Sequence, residues 1–225
     1  MQAPAPWQLT GNGFIATLRL PQPVRQTQGG YPASLPRPGG ALCHVMFVDY
    51  HSSDVGPYRE LLFLGGHFPF AHQQRRWSIG RIYVSSQDSV DNGRTNWGIP
   101  KALADFRVEQ DGKQTRVSVS REGRTFARLA FQPLGPTLPI NTALIPQRWR
   151  SLAQHWQNQT FYYTPEARGR AGLARHIQLW ADGEHFPAMQ EGRCLAGVAI
   201  RRFQMTFPRA RIEAGLDNAC LPDTQ

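Results

Sequence analysis

The sequence predicts an α+β domain that is mainly antiparallel β, with a curved sheet or a closed β-barrel around an internal cavity and few short helices. Three observations lead to this prediction. Short runs of alternating apolar and polar residues recur along the chain, separated by glycine and proline turns. Long helical periodicity is scarce. Strands and helices do not alternate in the βαβ rhythm that builds parallel sheets.

Eight segments are predicted as strands. Asp111-Gly112 and Glu122-Gly123 supply hairpin turns between three of them. The segments are residues 41–50, 58–64, 77–85, 106–109, 115–120, 125–131, 175–181 and 197–207.

Helices are predicted at two places. Lys101 to Asp105 follows Pro100, which suits a first helical position, and Pro146 to Trp156 is the second candidate. Pro21 to Gly40 is rich in proline, glycine and glutamine and is predicted to be an irregular surface excursion. We expect residues 1–225 to form a single domain around one core.

Composition limits the function classes. The formal charge is +9, but the arginines are scattered and no nucleic-acid-binding motif accompanies them. The favoured interpretation is therefore a solvated arginine-rich surface. The second interpretation is attraction to small anionic substrates, and the third is association with nucleic acid. No apolar run is long enough to span a membrane, and no signal peptide is visible. Three widely spaced cysteines (Cys43, Cys194 and Cys220) suit a reducing compartment, so we expect a cytoplasmic protein.

Lysine is rare in this chain, and its placement is informative. Two of the 25 basic residues are lysines. Lys113 lies in a polar hairpin tip and is expected to be solvated. Lys101 follows a proline in an apolar, glycine-bent segment, residues 92–101. Arginine cannot lose its proton in a protein, whereas lysine can when it is desolvated, so Lys101 is the first candidate for chemistry.

An amine attacks a ketone only when it is neutral. At pH 7 only about one unperturbed lysine in 2,500 is neutral, and lowering the pKa by about three units costs roughly 4 kcal/mol. Burial and a nearby positive charge can both lower it. Trp97, Ile99 and Leu103 offer apolar surface, and Arg94 is the candidate cation.

Two segments together resemble the acetoacetate decarboxylase superfamily. The first is Gly56-Pro57-Tyr58-Arg59-Glu60-Leu61-Leu62, and the second, some 30 residues on, is Gly93-Arg94-Thr95-Asn96-Trp97-Gly98-Ile99-Pro100-Lys101-Ala102-Leu103-Ala104. Phe207-Pro208-Arg209-Ala210-Arg211 is similar to the closing segment of that family. In the family, the lysine after the proline forms a Schiff base with a β-keto acid, and the iminium takes up the electron pair released as CO2 leaves.

The resemblance implies roles for individual residues. Lys101 matches the Schiff-base lysine, and Glu60 matches an active-site glutamate. We expect Arg94, Trp97 and Tyr58 to contact the substrate. The implied function is a Schiff-base-forming lyase that acts on a small keto acid, by decarboxylation or by related aldol or dehydration chemistry. The implied assembly is a homo-oligomer.

Two departures from the family keep an alternative open. The family follows the nucleophile with a second lysine that depresses the pKa of the first, and this chain has Ala102 there. The family also carries an acidic residue in the strand before the Gly-Pro-Tyr turn. In this chain the corresponding position falls near Val45, which is apolar. The alternative is a catalytically inactive small-molecule-binding barrel of the same fold.

Each candidate residue also has a purely structural interpretation. Lys101 could be a surface lysine at the start of a short helix. Glu60 could face outward or pair with Arg59 or Arg81. Arg94 could tie its loop to backbone carbonyls.

Cofactors and metals are not expected. The histidines show no metal-ligand spacing with Asp, Glu or Cys, and His44, in a hydrophobic strand, is interpreted as a core histidine. Neither a Gly-x-Gly-x-x-Gly nor a P-loop motif is present, so no nucleotide cofactor is implied.

Overall fold

The computed structural model describes residues 1–33, 35–70 and 74–214. Fourteen strands and three α-helices occur in these ranges. The strands are β1 (Trp7–Arg19), β2 (Cys43–Ser52), β3 (Tyr58–Pro69), β4 (Arg75–Val84), β5 (Lys101–Leu103), β6 (Asp105–Asp111), β7 (Gln114–Arg121), β8 (Arg124–Pro133), β9 (Leu138–Asn141), β10 (Leu152–Trp156), β11 (Gln159–Tyr163), β12 (Glu166–Ala181), β13 (Arg193–Phe207) and β14 (Arg211–Ala214). The helices are α1 (Gln22–Thr27), α2 (Gln87–Trp97) and α3 (Gln147–Arg150).

The strands join into one large curved sheet with the order β14-β11-β10-β4-β3-β2-β1-β13-β12-β8-β7-β6. Strand β5 pairs with β4, and β9 pairs with β12. Pairing is antiparallel except for β4 with β5 and β4 with β10. The mainly antiparallel α+β prediction is confirmed. The closed-barrel alternative is wrong, because closure requires the two end strands to pair and, among the described residues, β14 and β6 remain the two edges of the sheet.

All eight predicted strand segments coincide with strands, and several strands are longer than predicted. Strand β12, for example, begins at Glu166, whereas alternation had indicated only residues 175–181. The excursion at residues 21–40 contains the short helix α1 and is otherwise irregular in its described part.

The helix predicted from Lys101 to Asp105 is wrong. These residues supply β5, whose Lys101–Leu103 segment pairs in parallel with Ile82–Val84 of β4. Pro100 does not begin a helix, because Gly98 has already ended α2 two residues earlier. The residues after Pro100 instead pair with the edge of β4 that lies opposite β3. The second predicted helix, Pro146 to Trp156, is confirmed only at Gln147–Arg150, and the rest of it is wrong, because Leu152–Trp156 form β10 and pair with β11 and β4.

The central strands bury apolar side chains on both faces because successive side chains point to opposite sides of a strand. On β1, Phe14, Ala16 and Leu18 join one core cluster, and Trp7 and Leu9 join the other. The second cluster surrounds the cavity described below.

No helix in the described ranges has the length and apolar character needed to cross a membrane. Cys43 and Cys194 are free thiols. Cys220 and His72 lie outside the described residues.

Candidate active site

A cavity of about 440 Å³ lies on one face of the central strands. Side chains from β1, β2, β3, β4 and β13 line it, together with residues from the segment 140–167. Its walls are almost entirely aliphatic and aromatic. Such a space, with few polar groups, is typical of a small-molecule site.

The register of β2 and β3 orders the cavity wall into four successive pairs. Alternate residues face the cavity, and each step of two residues advances about 6.6 Å along the strand. From one end to the other, the pairs are Tyr50 with Tyr58, Val48 with Glu60, Met46 with Leu62, and His44 with Leu64. The polar side chains of the first two pairs, Tyr50, Tyr58 and Glu60, therefore lie near one end of the wall.

Lys101 enters this wall from α2 and β5. Ser86 caps α2 by accepting a hydrogen bond from the amide of Ser89, and Gly98 ends the helix in a left-handed conformation with φ 62°. A Cβ at Gly98 would lie 2.6 Å from the ring of Phe161, so glycine is required there by both conformation and space. The chain then turns through Pro100 and places Lys101 beside Ile82.

Gly93 allows α2 to pack directly onto the aliphatic stem of Lys101. A Cβ at Gly93 would lie 2.7 Å from Cδ and 2.9 Å from Cε of Lys101. These separations are shorter than carbon atoms tolerate, so a larger residue would displace the lysine stem. The glycine in the Gly93-Arg94 pair is thus explained by contact with the lysine.

The Lys101 amine is buried among three oxygen atoms. Only 3% of the residue is exposed, and only 5% of Glu60. The Nζ atom lies 2.9 Å from Oε2 of Glu60, 3.0 Å from Oγ of Ser89 and 3.5 Å from the hydroxyl of Tyr58. A buried charge needs this kind of pairing to be tolerated.

Glu60 has a second partner. The Tyr50 hydroxyl donates a hydrogen bond of 3.2 Å to its Oε1, so both carboxylate oxygens are engaged. Burial raises the pKa of Tyr50 well above its ordinary value, with the Glu60 charge adding to the effect. Burial likewise raises the pKa of Tyr58, partly offset by the Lys101 charge. Both phenols therefore stay protonated near neutral pH.

The pKa of Lys101 lies above its ordinary value. Burial lowers the pKa, but the Glu60 charge raises it, and Tyr58 and the hydrogen bonds to both residues add to this. The direction is opposite to the one a resting neutral nucleophile would need, because the carboxylate stabilises the ammonium form. The resting pair is therefore ammonium and carboxylate.

Arg94 contacts the backbone of Lys101 and not its amine. Its Nε and Nη2 donate hydrogen bonds of 3.0 and 2.6 Å to the Lys101 carbonyl. The guanidinium also lies over the ring of Trp156, 5.5 Å from the centroid. In this position Arg94 ties the last turn of α2 to β5, and it is not among the residues that line the cavity.

The other two predicted contact residues do line the cavity. Tyr58 stands beside the Lys101 amine, which lies 5.1 Å from the centre of its ring. Trp97 is 1% exposed and donates a hydrogen bond from its indole nitrogen to the carbonyl of Pro208. Trp7 packs edge-on against Trp97, with the ring centroids 5.0 Å apart. The structure thus brings Lys101, Glu60, Tyr58 and Trp97 to one cavity.

Ala102 faces away from the cavity. Its side chain packs against the core cluster on the opposite face of the sheet, as strand alternation requires next to Lys101. Val45 also belongs to that opposite cluster. Both positions at which the sequence departs from the family pattern therefore contact the other core.

His44 is partly buried at the far end of the cavity. Its Nδ1 lies 3.1 Å from the Thr17 hydroxyl, and its ring centroid lies 5.0 Å from that of Trp77. Burial lowers the pKa of His44, with a smaller contribution from His67.

One group of possible metal ligands occurs among the described residues, away from the cavity. Asp182, Glu184 and His185 bring donor atoms within 4.8 Å of one another. One oxygen of Asp182 accepts hydrogen bonds from the amides of Glu184 and His185, and the other lies 2.8 Å from Nδ1 of His185. These bonds account for the cluster as a turn.

Sequence reasoning missed Ser89 and Tyr50. Ser89 lies in a polar stretch that carries few apolar residues, so the helix α2 was not predicted. Ser86 before it and Gly98 with Pro100 after it are start and stop signals that could have identified the helix. Tyr50 shares the alternating face of β2 with Val48, but its partner Glu60 comes only from strand pairing.

Comparisons with known proteins are consistent with this geometry. The family model "Acetoacetate decarboxylase (ADC)" matches residues 32–196, which is more than half of the chain. No curated protein matches the sequence.

Several solved structures share the fold. Acetoacetate decarboxylase from Legionella pneumophila subsp. pneumophila str. Philadelphia 1 superposes with a TM-score of 0.73 at 12% identity, covering 95% of this chain and 89% of that one. The enduracididine biosynthesis enzyme MppR, in complex with pyruvate, gives 0.64 at 14% identity, covering 94% and 91%. An acetoacetate decarboxylase-like enzyme from Sphingomonas wittichii RW1 gives 0.68 at 15% identity, covering 96% and 95%. At these identities the structural likeness shows the fold, and the family match shows the relationship: the chain belongs to the acetoacetate decarboxylase family.

Proposed function

We propose that this protein is a Schiff-base-forming lyase that acts on a small keto acid through Lys101, by decarboxylation or by related aldol or dehydration chemistry. The observation that supports this most is the position of the Lys101 amine. It is buried at the wall of an apolar cavity, 2.9 Å from a carboxylate that can take its proton.

The ion pair provides a route to the neutral amine. The Lys101 ammonium transfers a proton to Glu60, and the amine nitrogen then attacks the keto carbon. A proton moves from the attacking nitrogen to the alkoxide oxygen to give the carbinolamine. Glu60 then returns its own proton to the carbinolamine hydroxyl, which leaves as water, and an iminium remains on Lys101. Glu60 thus acts first as base and then as acid, which is an alternative to activation by a second lysine.

The iminium is the electron acceptor for the next step. In decarboxylation, the carbon–carbon bond to the carboxylate breaks, CO2 leaves, and the electron pair moves to the iminium nitrogen to form an enamine. Protonation at carbon and hydrolysis with one water release the product and the lysine. In the aldol variant, the enamine arises by loss of a proton and attacks an aldehyde instead.

The surrounding residues have supporting roles in this proposal. Tyr50 holds the second oxygen of Glu60, and Ser89 holds the amine. Tyr58 and Trp97 contact the substrate from the cavity wall. Arg94 positions Lys101 through its carbonyl oxygen, which makes it a positioning residue and not a carboxylate ligand.

Borohydride trapping tests the proposal. The protein is incubated with pyruvate or acetoacetate, reduced, and weighed intact. We expect a mass gain equal to the bound carbonyl compound minus one water plus two hydrogens, where that compound is the keto acid itself or, when acetoacetate has lost CO2 on the lysine, acetone. Lys113→Arg, at the other lysine of the chain, should keep the adduct, and Lys101→Ala should lose it. An absent adduct, or one that survives Lys101→Ala, overturns the Schiff-base mechanism.

The second candidate is a non-catalytic binding protein of the same fold. The raised pKa of Lys101 favours it, because an amine held as ammonium by Glu60 does not attack a ketone. This candidate predicts that small molecules bind in the cavity without any trapped adduct. Calorimetric binding together with negative trapping would support it over the lyase.

A further inference from the structure

We infer that the substrate carries an extended apolar chain of about six to eight carbons beyond the keto group, given the length and volume of the cavity. The inference rests on the proposed function for the reacting end, and on the cavity alone for the chain. It places the carbonyl at Lys101 and the chain along the wall towards His44.

The first support is volume. At the roughly 30 Å³ that one water occupies in the liquid, a cavity of about 440 Å³ has room for on the order of 15 water-sized groups. A four-carbon keto acid has about half as many non-hydrogen atoms. It would leave much of the cavity filled with water against apolar walls, which is unfavourable.

The second support is the direction in which the cavity extends. Glu60 faces the cavity near one end of β3, and Leu64 lies four residues further along the same face. That separation is about 13 Å along the strand. The intervening wall is formed by Leu62 with Met46 beside it and Ile15 next in the sheet.

The third support is the distribution of charge. Among the described residues that line the cavity, the permanently charged side chains are Lys101, Glu60 and Arg150. Arg150 already donates to the carbonyls of Ile145 and Pro165 and to the carboxylate of Glu166. The far wall therefore offers no free charge to a polar tail, whereas a hydrocarbon chain matches it.

The first experiment measures chain binding without chemistry. The probes are 1-butanol and 1-octanol, which have no keto group and cannot form an imine, and the affinity is measured by calorimetry. Burial of apolar surface tightens binding by up to about fourfold for each methylene. We expect 1-octanol to bind at least about tenfold more tightly than 1-butanol. Equal affinities would overturn the inference.

The second experiment compares reacting ligands. Acetoacetate and 3-oxodecanoate, which carries seven carbons beyond its keto group, are trapped with borohydride on the wild-type protein, and we expect the longer acid to be trapped at lower concentration. Trapping of acetoacetate with no preference for 3-oxodecanoate overturns the apolar-chain inference and leaves the proposed function standing. Tight octanol binding without any trapping overturns the proposed function and supports the chain site.

Substitutions at a cavity residue test where the alkyl chain binds. Ile15→Trp narrows the cavity between the amine and His44, and Ile15→Ala widens it. We expect the octanol-to-butanol affinity ratio to fall towards one in Ile15→Trp and to persist in Ile15→Ala. Leu173→Trp is the matched control, because Leu173 is an exposed leucine outside the cavity. A ratio that is the same in Ile15→Trp and Leu173→Trp overturns the placement of the chain.

Discussion

The Nζ atom of Lys101 lies 2.9 Å from a carboxylate oxygen of Glu60, and both side chains are buried. This pair determines the resting charge of the cavity. It keeps the pKa of the lysine above its ordinary value despite burial, and it gives the amine a proton acceptor within hydrogen-bonding distance.

The pair predicts a non-additive effect on stability. Removing one partner of a buried ion pair leaves an uncompensated charge and costs about 3–5 kcal/mol, whereas replacing both is often nearly neutral. We expect Glu60→Gln and Lys101→Met each to lower the free energy of unfolding by a few kcal/mol, and the double variant to recover much of it. Urea unfolding measures all four proteins. If the double variant lost the sum of the two single losses in free energy of unfolding, that result would contradict a stabilising interaction between Lys101 and Glu60.

The substitution Gly93→Ala is predicted to change the free energy of unfolding in opposite directions with and without the Lys101 side chain. A helix gains about 1 kcal/mol when an interior glycine becomes alanine, but the new Cβ would lie 2.7 Å from Cδ of Lys101. We expect Gly93→Ala to lower the free energy of unfolding in the wild-type chain. In a Lys101→Ala background the same change should raise it, because the clash is gone. Thermal or urea unfolding measures both pairs, and the same sign in both backgrounds would refute the close packing.

Arg94 is predicted to affect where the Lys101 side chain lies and not whether its amine is protonated. Arg94→Gln removes a two-bond contact with the Lys101 carbonyl, and a hydrogen bond from a charged group contributes about 1.5–3 kcal/mol. We expect lower stability and slower trapping, with the Lys101 pKa still above its ordinary value. Side-chain NMR of labelled lysine measures that pKa. A large change in pKa would instead support a direct electrostatic role for Arg94.

His44 is predicted to contribute to the loss of folding stability as the pH falls. Its folded-state pKa is lowered by burial, so the unfolded chain binds the proton more readily. The stability contributed by the neutral form is present above the unfolded pKa of about 6.5 and is lost as the pH falls through the lower folded value. We expect His44→Gln to lose less stability between pH 7 and pH 5 than the wild type. His51→Gln is the control, because His51 is an exposed histidine on the same strand. A pH dependence that matches the wild type would count against a buried neutral His44.

Much of the fold was accessible from the sequence because its strands alternate clearly. The alternation of Thr115 to Ser120, between two glycine turns, predicted β7 and its neighbours. The path of residues 86–103 was not accessible. Its helix is polar, and its short strand is fixed by pairing with β4, which no local pattern records.

The candidate site was partly predictable for a similar reason. The spacing of the two motifs identified Lys101 and Glu60. It could not give the direction of the Arg94 guanidinium, the placement of Ser89 on the amine, or the orientation of Ala102 towards the opposite core, because all three depend on how α2 and β5 lie against the sheet. The single-domain organisation, cytoplasmic location and homo-oligomeric assembly stay predictions.

The central claim is that a keto acid forms an imine on Lys101, and nitrogen NMR tests it most directly. Because the chain has two lysines, protein labelled with 15N at the lysine side chains gives two signals, and Lys113→Arg identifies the Lys101 signal. On saturation with keto acid, as judged by tryptophan fluorescence, the account predicts that the Lys101 signal moves from the ammonium to the imine region and the Lys113 signal stays. A Lys101 signal that remains in the ammonium region at saturation would contradict the account.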